Sequence, residues 1–196
     1  LRLFVPAKRV AESPPPLVVA LHGAGGSENM FFDGYGAGKI VKLCEQRGWM
    51  LVAPRVGFGI QLAPMLEGLQ KRFPFDEKRV FVIGHSMGAA LALQAACAEP
   101  MRYAGVVDLG GSGQVKDSND LKKLPFYVAV GAQDFALSGA RNLKDRLTQA
   151  GVEQVTYREL ADIEHLGISN KLLAIRSLSS IASCLRKPIR AHSWPQ

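Results

Sequence analysis

A hydroxyl becomes a nucleophile when an imidazole and a carboxylate line up behind it, and one serine of this chain is placed for that role. Gly84-His85-Ser86-Met87-Gly88 has the spacing GxSxG, with the apolar run VFVI directly before it and the small-residue run from Met87 to Ala98 directly after. Ser86 is therefore expected on a corner between a strand and a helix, with no residues to spare. A turn so sharp presses the backbone of Gly84 and Gly88 against neighbouring strand and helix, where a Cβ would clash. It forces Ser86 into a strained conformation and lifts Oγ clear of the sheet, at the start of a helix whose dipole favours developing negative charge. Composition alone gives a GxSxG match in roughly one chain of this length in twenty. Requiring the flanking strand and helix removes most chance matches, and the competing reading is a serine in an ordinary tight turn.

A serine hydroxyl is a poor nucleophile until a base takes its proton, and a carboxylate should orient that base. The chain has four histidines. His22 ends the first core strand inside LHGAGG, His85 is turned away from the serine by the corner itself, and His192 lies in the tail HSWPQ. His165, in the loop ADIEHLGIS between a late strand and the last helix, is the candidate base by chain order, its alternative being a surface imidazole. Asp134, just after the apolar run PFYVAVG, is the candidate acid; the alternative is an aspartate capping the helix that opens near Ser138. Asp162 and Glu164 are too near His165 along the chain to buttress its far side, and Asp108 sits within a strand. A developing oxyanion needs two pre-aimed N–H donors. The backbone amides of Met87 and of Ala24, in His22-Gly23-Ala24-Gly25-Gly26, are the candidates. No lysine follows that loop as a phosphate-binding loop demands, and no GxGxxG is present.

The elements that must hold these residues follow from the apolar patterning. Runs that are apolar throughout occur at PLVVALHG, Trp49 to Pro54, Arg79 to Gly84, Tyr103 to Gly111 and Pro125 to Gly131, as suits a parallel sheet covered on both faces. Helical spacing separates them: Ile40, Val41, Leu43 and Cys44 share one stripe, and Leu62, Met65, Leu66 and Leu69 another. The helix from Met87 to Ala98 is apolar nearly all round and is expected to be buried. Further helices are expected at Ser138 to Ala150 and Ser169 to Leu185, with a strand near Val155 to Leu160 between them. The alternation predicts an α/β fold, a doubly wound and mostly parallel sheet with helices on both faces. Ligands in such sheets bind at the carboxyl ends of the strands.

With 196 residues, 47% of them hydrophobic, the chain suits a single domain spanning 1–196. It starts at Leu1, already in the strand-like run LRLFVP, so a portion of a longer product is expected. No apolar run reaches the roughly 18 to 20 residues of a membrane span. Cys44, Cys97 and Cys184 have neither zinc-site spacing nor an even count, and read as buried thiols, with one disulfide compatible with export. The net charge of +7 is spread along the chain without runs or interleaved aromatics, which argues against a nucleic-acid surface.

The segments RLFVP, PLVVALHGAGGSE, DEKRVFVIGHSMGAALAL and EHLGIS are similar to those of small serine esterases of the α/β-hydrolase superfamily, in particular the polyhydroxybutyrate-depolymerase-like and feruloyl-esterase-like group. The resemblance runs from Leu3 to about Leu185. It implies a triad of Ser86, Asp134 and His165, ester hydrolysis through an acyl-enzyme, and no cofactor. The chain departs from the pattern in two places. No cap of helices is evident between Tyr103 and Leu124, which favours short- to medium-chain or polymer-linked esters over long buried acyl chains. Ile163-Glu164 precede His165 where such enzymes often have a glycine. A serine peptidase of prolyl-oligopeptidase type and a non-catalytic binding module are the alternatives. Phe31, Phe32, Phe58 and Phe135 could line an acyl or aromatic pocket or belong to the core, and Trp194 reads as a docking anchor. The implied partner is an ester, without nucleic acid or membrane; oligomeric state and compartment are not written in these residues.

Overall fold

In the computed structural model, which describes residues 1–7, 13–57, 60–116 and 118–168, the apolar runs form one seven-stranded sheet. Its strands are Arg2–Phe4 (β1), Leu17–Leu21 (β2), Met50–Ala53 (β3), Val80–His85 (β4), Gly105–Leu109 (β5), Phe126–Gly131 (β6) and Val155–Leu160 (β7), in the order β1-β3-β2-β4-β5-β6-β7. Every residue of β2 to β6 is buried, because helices cover both faces. β1 and β7 lie at the edges and stay partly exposed. β1 runs antiparallel to β3, and all other pairings are parallel.

Successive side chains of a strand point to opposite faces, so strands apolar on both sides feed two cores. One core joins Leu21, Val82, Val106 and Val128 to the helices Leu62–Arg72 (α2), Met87–Ala98 (α3) and Leu137–Gln149 (α4). The other joins Ala20, Ile83, Val107 and Ala129 to the helix Lys39–Arg47 (α1) and to Phe31, Phe32 and Tyr35. α4 illustrates the seating: Ala140, Leu143 and Leu147 repeat at helical spacing and are fully buried, each leucine worth about 1.5 to 3 kcal/mol of transfer free energy. Among the described residues no helix is long and apolar enough to cross a membrane.

α3 corrects one expectation. It buries Gly88, Ala89, Ala92, Leu93 and Ala96 but exposes Ala90, Gln94 and Ala98, so it covers the sheet rather than threading the core. Alanine is small enough to face water at little cost, and a composition rich in it overstates burial. Phe31 and Phe32 are core residues. Cys44 is buried too, and burial pushes its thiol up to about 12, which makes it inert as a nucleophile. The helix expected at 169–185, Cys184, His192, Trp194 and Phe58 lie outside the described residues.

The strand order places a switch point between β2 and β4. From β2 the chain crosses to β3 on one side, whereas from β4 it proceeds to β5 on the other. The two connections diverge, leaving a crevice above the carboxyl ends of β2 and β4, which pair Leu21 with Gly84.

Candidate active site

The buried histidines and carboxylates among the described residues are His22, His85, Asp108 and Asp134, and all four lie at or just past the carboxyl ends of the adjacent strands β2, β4, β5 and β6. Charge-bearing groups are expensive to bury, so this concentration at one end of the sheet marks where the fold spends stability on something other than packing.

Ser86 stands between β4 and α3 with φ 54° and ψ −117°, one of three non-glycine residues with positive φ among those described. Neighbouring contacts hold it there. Its N–H donates to the carbonyl of Leu109 at 2.9 Å, and its own carbonyl accepts from Ala89 and Ala90 in the first turn of α3. A Cβ on Gly84 would lie 2.1 Å from the Gly88 carbonyl oxygen, and one on Gly88 would lie 2.0 Å from that of Leu21. Both glycines are thus required by the closeness of β4, α3 and β2, as the GxSxG spacing predicts.

His165 Nε2 lies 2.8 Å from Ser86 Oγ, and its Nδ1 lies 2.8 and 2.9 Å from the two carboxylate oxygens of Asp134. A carboxylate can only accept, so Nδ1 carries the proton and donates it, leaving Nε2 bare to accept from the serine hydroxyl. The Asp134 side chain has no solvent exposure, while 15% of the His165 side chain remains accessible. The pair is therefore anchored on one side and open on the other. Asp134 Oδ1 also accepts from Ala136 N–H at 2.7 Å, so the turn ahead of α4 fixes the carboxylate that meets the imidazole. Asp162 and Glu164 take no part in these bonds.

Ile163, in place of the glycine noted above, has its carbonyl against Gly131, where a Cβ would come within 2.0 Å, and that carbonyl accepts from Gln133 N–H at 3.0 Å. The loop bearing His165 is pinned to the end of β6 by backbone contacts that any residue at 163 can make.

The glycine loop after β2 comes to the same place. Gly26 N–H donates to the Gly23 carbonyl at 3.1 Å, closing a turn with Ala24 and Gly25 at its tip. A Cβ on Gly23 would lie 3.4 Å from the Ser86 Cβ, which sets the loop in contact with the Ser86 corner. His22 braces this loop from below: its Nε2 accepts from Val56 N–H at 2.9 Å, so Nδ1 donates to the Gly23 carbonyl at 2.8 Å. Met87 occupies the first position of α3, where a helix has no carbonyl to offer its N–H.

The sequence reading missed Tyr35 and the part played by His85. Tyr35, buried beside the first strand ends, lies 2.9 Å from His85 Nδ1, and His85 Nε2 lies 3.1 Å from the backbone carbonyl of His165. Burial raises the tyrosine and lowers the histidine from their ordinary pKa values, so Tyr35 keeps its proton and His85 is neutral. The tyrosine hydroxyl then donates to His85 Nδ1, and His85 Nε2–H donates to His165. Gly23 N–H donates to the same hydroxyl at 3.4 Å. This chain ties the glycine loop to the His165 loop beneath the serine. His85 within GHSMG was a visible signal, whereas nothing local marks Tyr35.

The sheet order and the strand-turn-helix corner define the α/β-hydrolase fold. The chain belongs to the alpha/beta hydrolase family, whose sequence profile it matches over residues 18–178. A search of curated protein sequences finds none that matches. Among solved structures, a thermostable esterase superposes with a TM-score of 0.77 at 22% identity over 93% of this chain, which spans 57% of that protein's length. The fluorophosphonate-binding serine hydrolase F of Staphylococcus aureus, with substrate bound, gives 0.74 at 14% identity, covering 94% of this chain and 91% of that one. A ferulic acid esterase gives 0.73 at 16%, covering 89% and 86%.

Proposed function

We propose that the protein is a serine carboxylesterase acting through an acyl-enzyme, in a single catalytic domain spanning 1–196. The observation that carries this reading is the unbroken line from Ser86 Oγ through the His165 ring to the Asp134 carboxylate, each link 2.8 to 2.9 Å. His165 Nε2 takes the hydroxyl proton as Ser86 Oγ attacks the ester carbonyl, and Asp134 holds the imidazolium so formed. The backbone amides of Met87 and Ala24 receive the oxyanion of the tetrahedral intermediate, each such donor being worth about 2.7 to 4 kcal/mol of barrier. The carbon–oxygen bond to the alcohol then breaks, and its oxygen takes the proton from His165. Water repeats the sequence on the acyl-serine, releasing the acid. Short- to medium-chain or polymer-linked esters suit this site, since the described residues between β5 and β6 form only one short 3₁₀ turn, Leu121–Lys123, and no helical cap.

Turnover of p-nitrophenyl esters of graded chain length, a feruloyl ester and a peptide anilide tests the reading beside Ser86→Ala. The variant is expected to lose ester turnover by about 10³-fold or more. Ester turnover that persists in it would sink the assignment, and anilide cleavage exceeding ester cleavage would shift it to a peptidase.

A further inference from the structure

Large hydrophobic side chains exposed among the described residues are Leu1, Met101, Phe135 and Leu166. Two of these four directly follow Asp134 and His165 in sequence. Phe135 is 81% exposed, yet its ring centroid lies 4.1 Å from that of His165, tilted by 39°. Its backbone is not free to carry it elsewhere, because the turn is closed by Ala136 N–H on the Asp134 carboxylate and Leu137 N–H on the Asp134 carbonyl. Phe31 and Phe32, by contrast, are sunk in the core, so of the three phenylalanines described that were candidates for the pocket only Phe135 meets the imidazole. A phenyl ring left in water forgoes most of its transfer free energy unless something apolar covers it.

The chemistry decides what covers it. In the ester hydrolysis on which this inference rests, His165 must hand its proton to the departing alcohol oxygen, at hydrogen-bond reach from Nε2. The alcohol portion of the substrate therefore sits against His165, while the carbonyl oxygen points to the glycine loop and Met87. A ring that flanks the imidazole borders the alcohol and not the acyl chain. We propose that Phe135 is a specificity-determining residue for the leaving group, a platform that favours esters of flat, apolar alcohols such as benzyl or other arylalkyl alcohols.

Ethyl, butyl and benzyl esters of one acid test this, because they differ before the alcohol departs and share the same acyl-enzyme afterwards. The wild-type protein is expected to prefer the benzyl ester in kcat/KM. Phe135→Ala is expected to cut the benzyl-over-ethyl ratio by about tenfold, the worth of one aromatic contact, and Phe135→Tyr to retain it. The loss should fall in acylation, measured by single turnover, since the platform has no alcohol to hold during deacylation. A benzyl preference that survives in Phe135→Ala, or a loss expressed equally in deacylation, overturns the proposal while leaving the esterase reading in place. Wild-type protein that turns over none of the esters overturns both.

Discussion

Asp108 sets a pH dependence by itself. Gly111 N–H donates to its Oδ1 at 2.9 Å, and its Oδ2 has no partner among the described residues. Burial penalises the charged form more than this one hydrogen bond supports it, so the carboxyl is pushed up to about 7. The folded protein then keeps a proton that the unfolded chain releases above about pH 4. The stabilisation is complete below that pH and is lost as pH rises toward 7. Asp108→Asn copies the shape of the neutral acid without the titration. Denaturation curves from about pH 4 to 8 should show the variant gaining on the wild type as pH rises, by a few kcal/mol at the upper end. A constant difference across the series would mean that Asp108 is not the titrating group. In sequence the residue reads only as an acid within a strand. Its isolation depends on α3, since a Cβ on Gly111 would touch both Ala89 Cβ and the Asp108 carboxylate.

The strand β4 and helix α3 form the element on which the site depends, and their junction was legible because sterics act within a few residues there. The helix begins at Met87 and ends at Ala98, the limits expected from the run of small residues. Gly88→Ala puts a methyl group 2.0 Å from the Leu21 carbonyl, which is backbone and cannot swing aside. A loss of about 3 kcal/mol or more in unfolding free energy is expected, with Gly68→Ala, whose Cβ would meet nothing within 4 Å, as the comparison. Equal midpoints for the two variants would mean that β2 and α3 can move apart. The segment before α1 was less legible. A π-helical turn at Met30–Gly34 runs into a kinked turn at Tyr35–Gly38, where Gly36, Ala37 and Gly38 all have positive φ. No periodicity announces such a path, because it is shaped by the fit of Phe31 and Tyr35 against the sheet.

Across the whole molecule, the site is a meeting of the connections that follow β2, β4, β6 and β7, whose residues lie far apart in sequence. Tyr35 joins them, through His85, to the carbonyl of His165. Tyr35→Phe keeps the ring, which packs edge-on against Phe31 at 4.9 Å, and removes the hydroxyl. His85 Nδ1 then loses its donor, and unfolding stability should fall by about 1 to 3 kcal/mol. Well below the unfolding temperature kcat should fall by about tenfold with KM nearly steady, since the imidazole loop loses alignment while the substrate surface is kept. A variant that loses stability but keeps kcat would confine Tyr35 to packing.

The sequence by itself determined the parallel sheet, the glycine-flanked corner and the candidates Ser86, Asp134 and His165, because steric need, apolar run length and chain order are all recorded within short windows. Only the tertiary structure decided which phenylalanines are core and which one faces the imidazole, that α3 shows a side to water, and that Tyr35 and His85 brace the loop beneath. Those outcomes depend on which side chains from distant segments share a volume, and that is settled when the strands take their order.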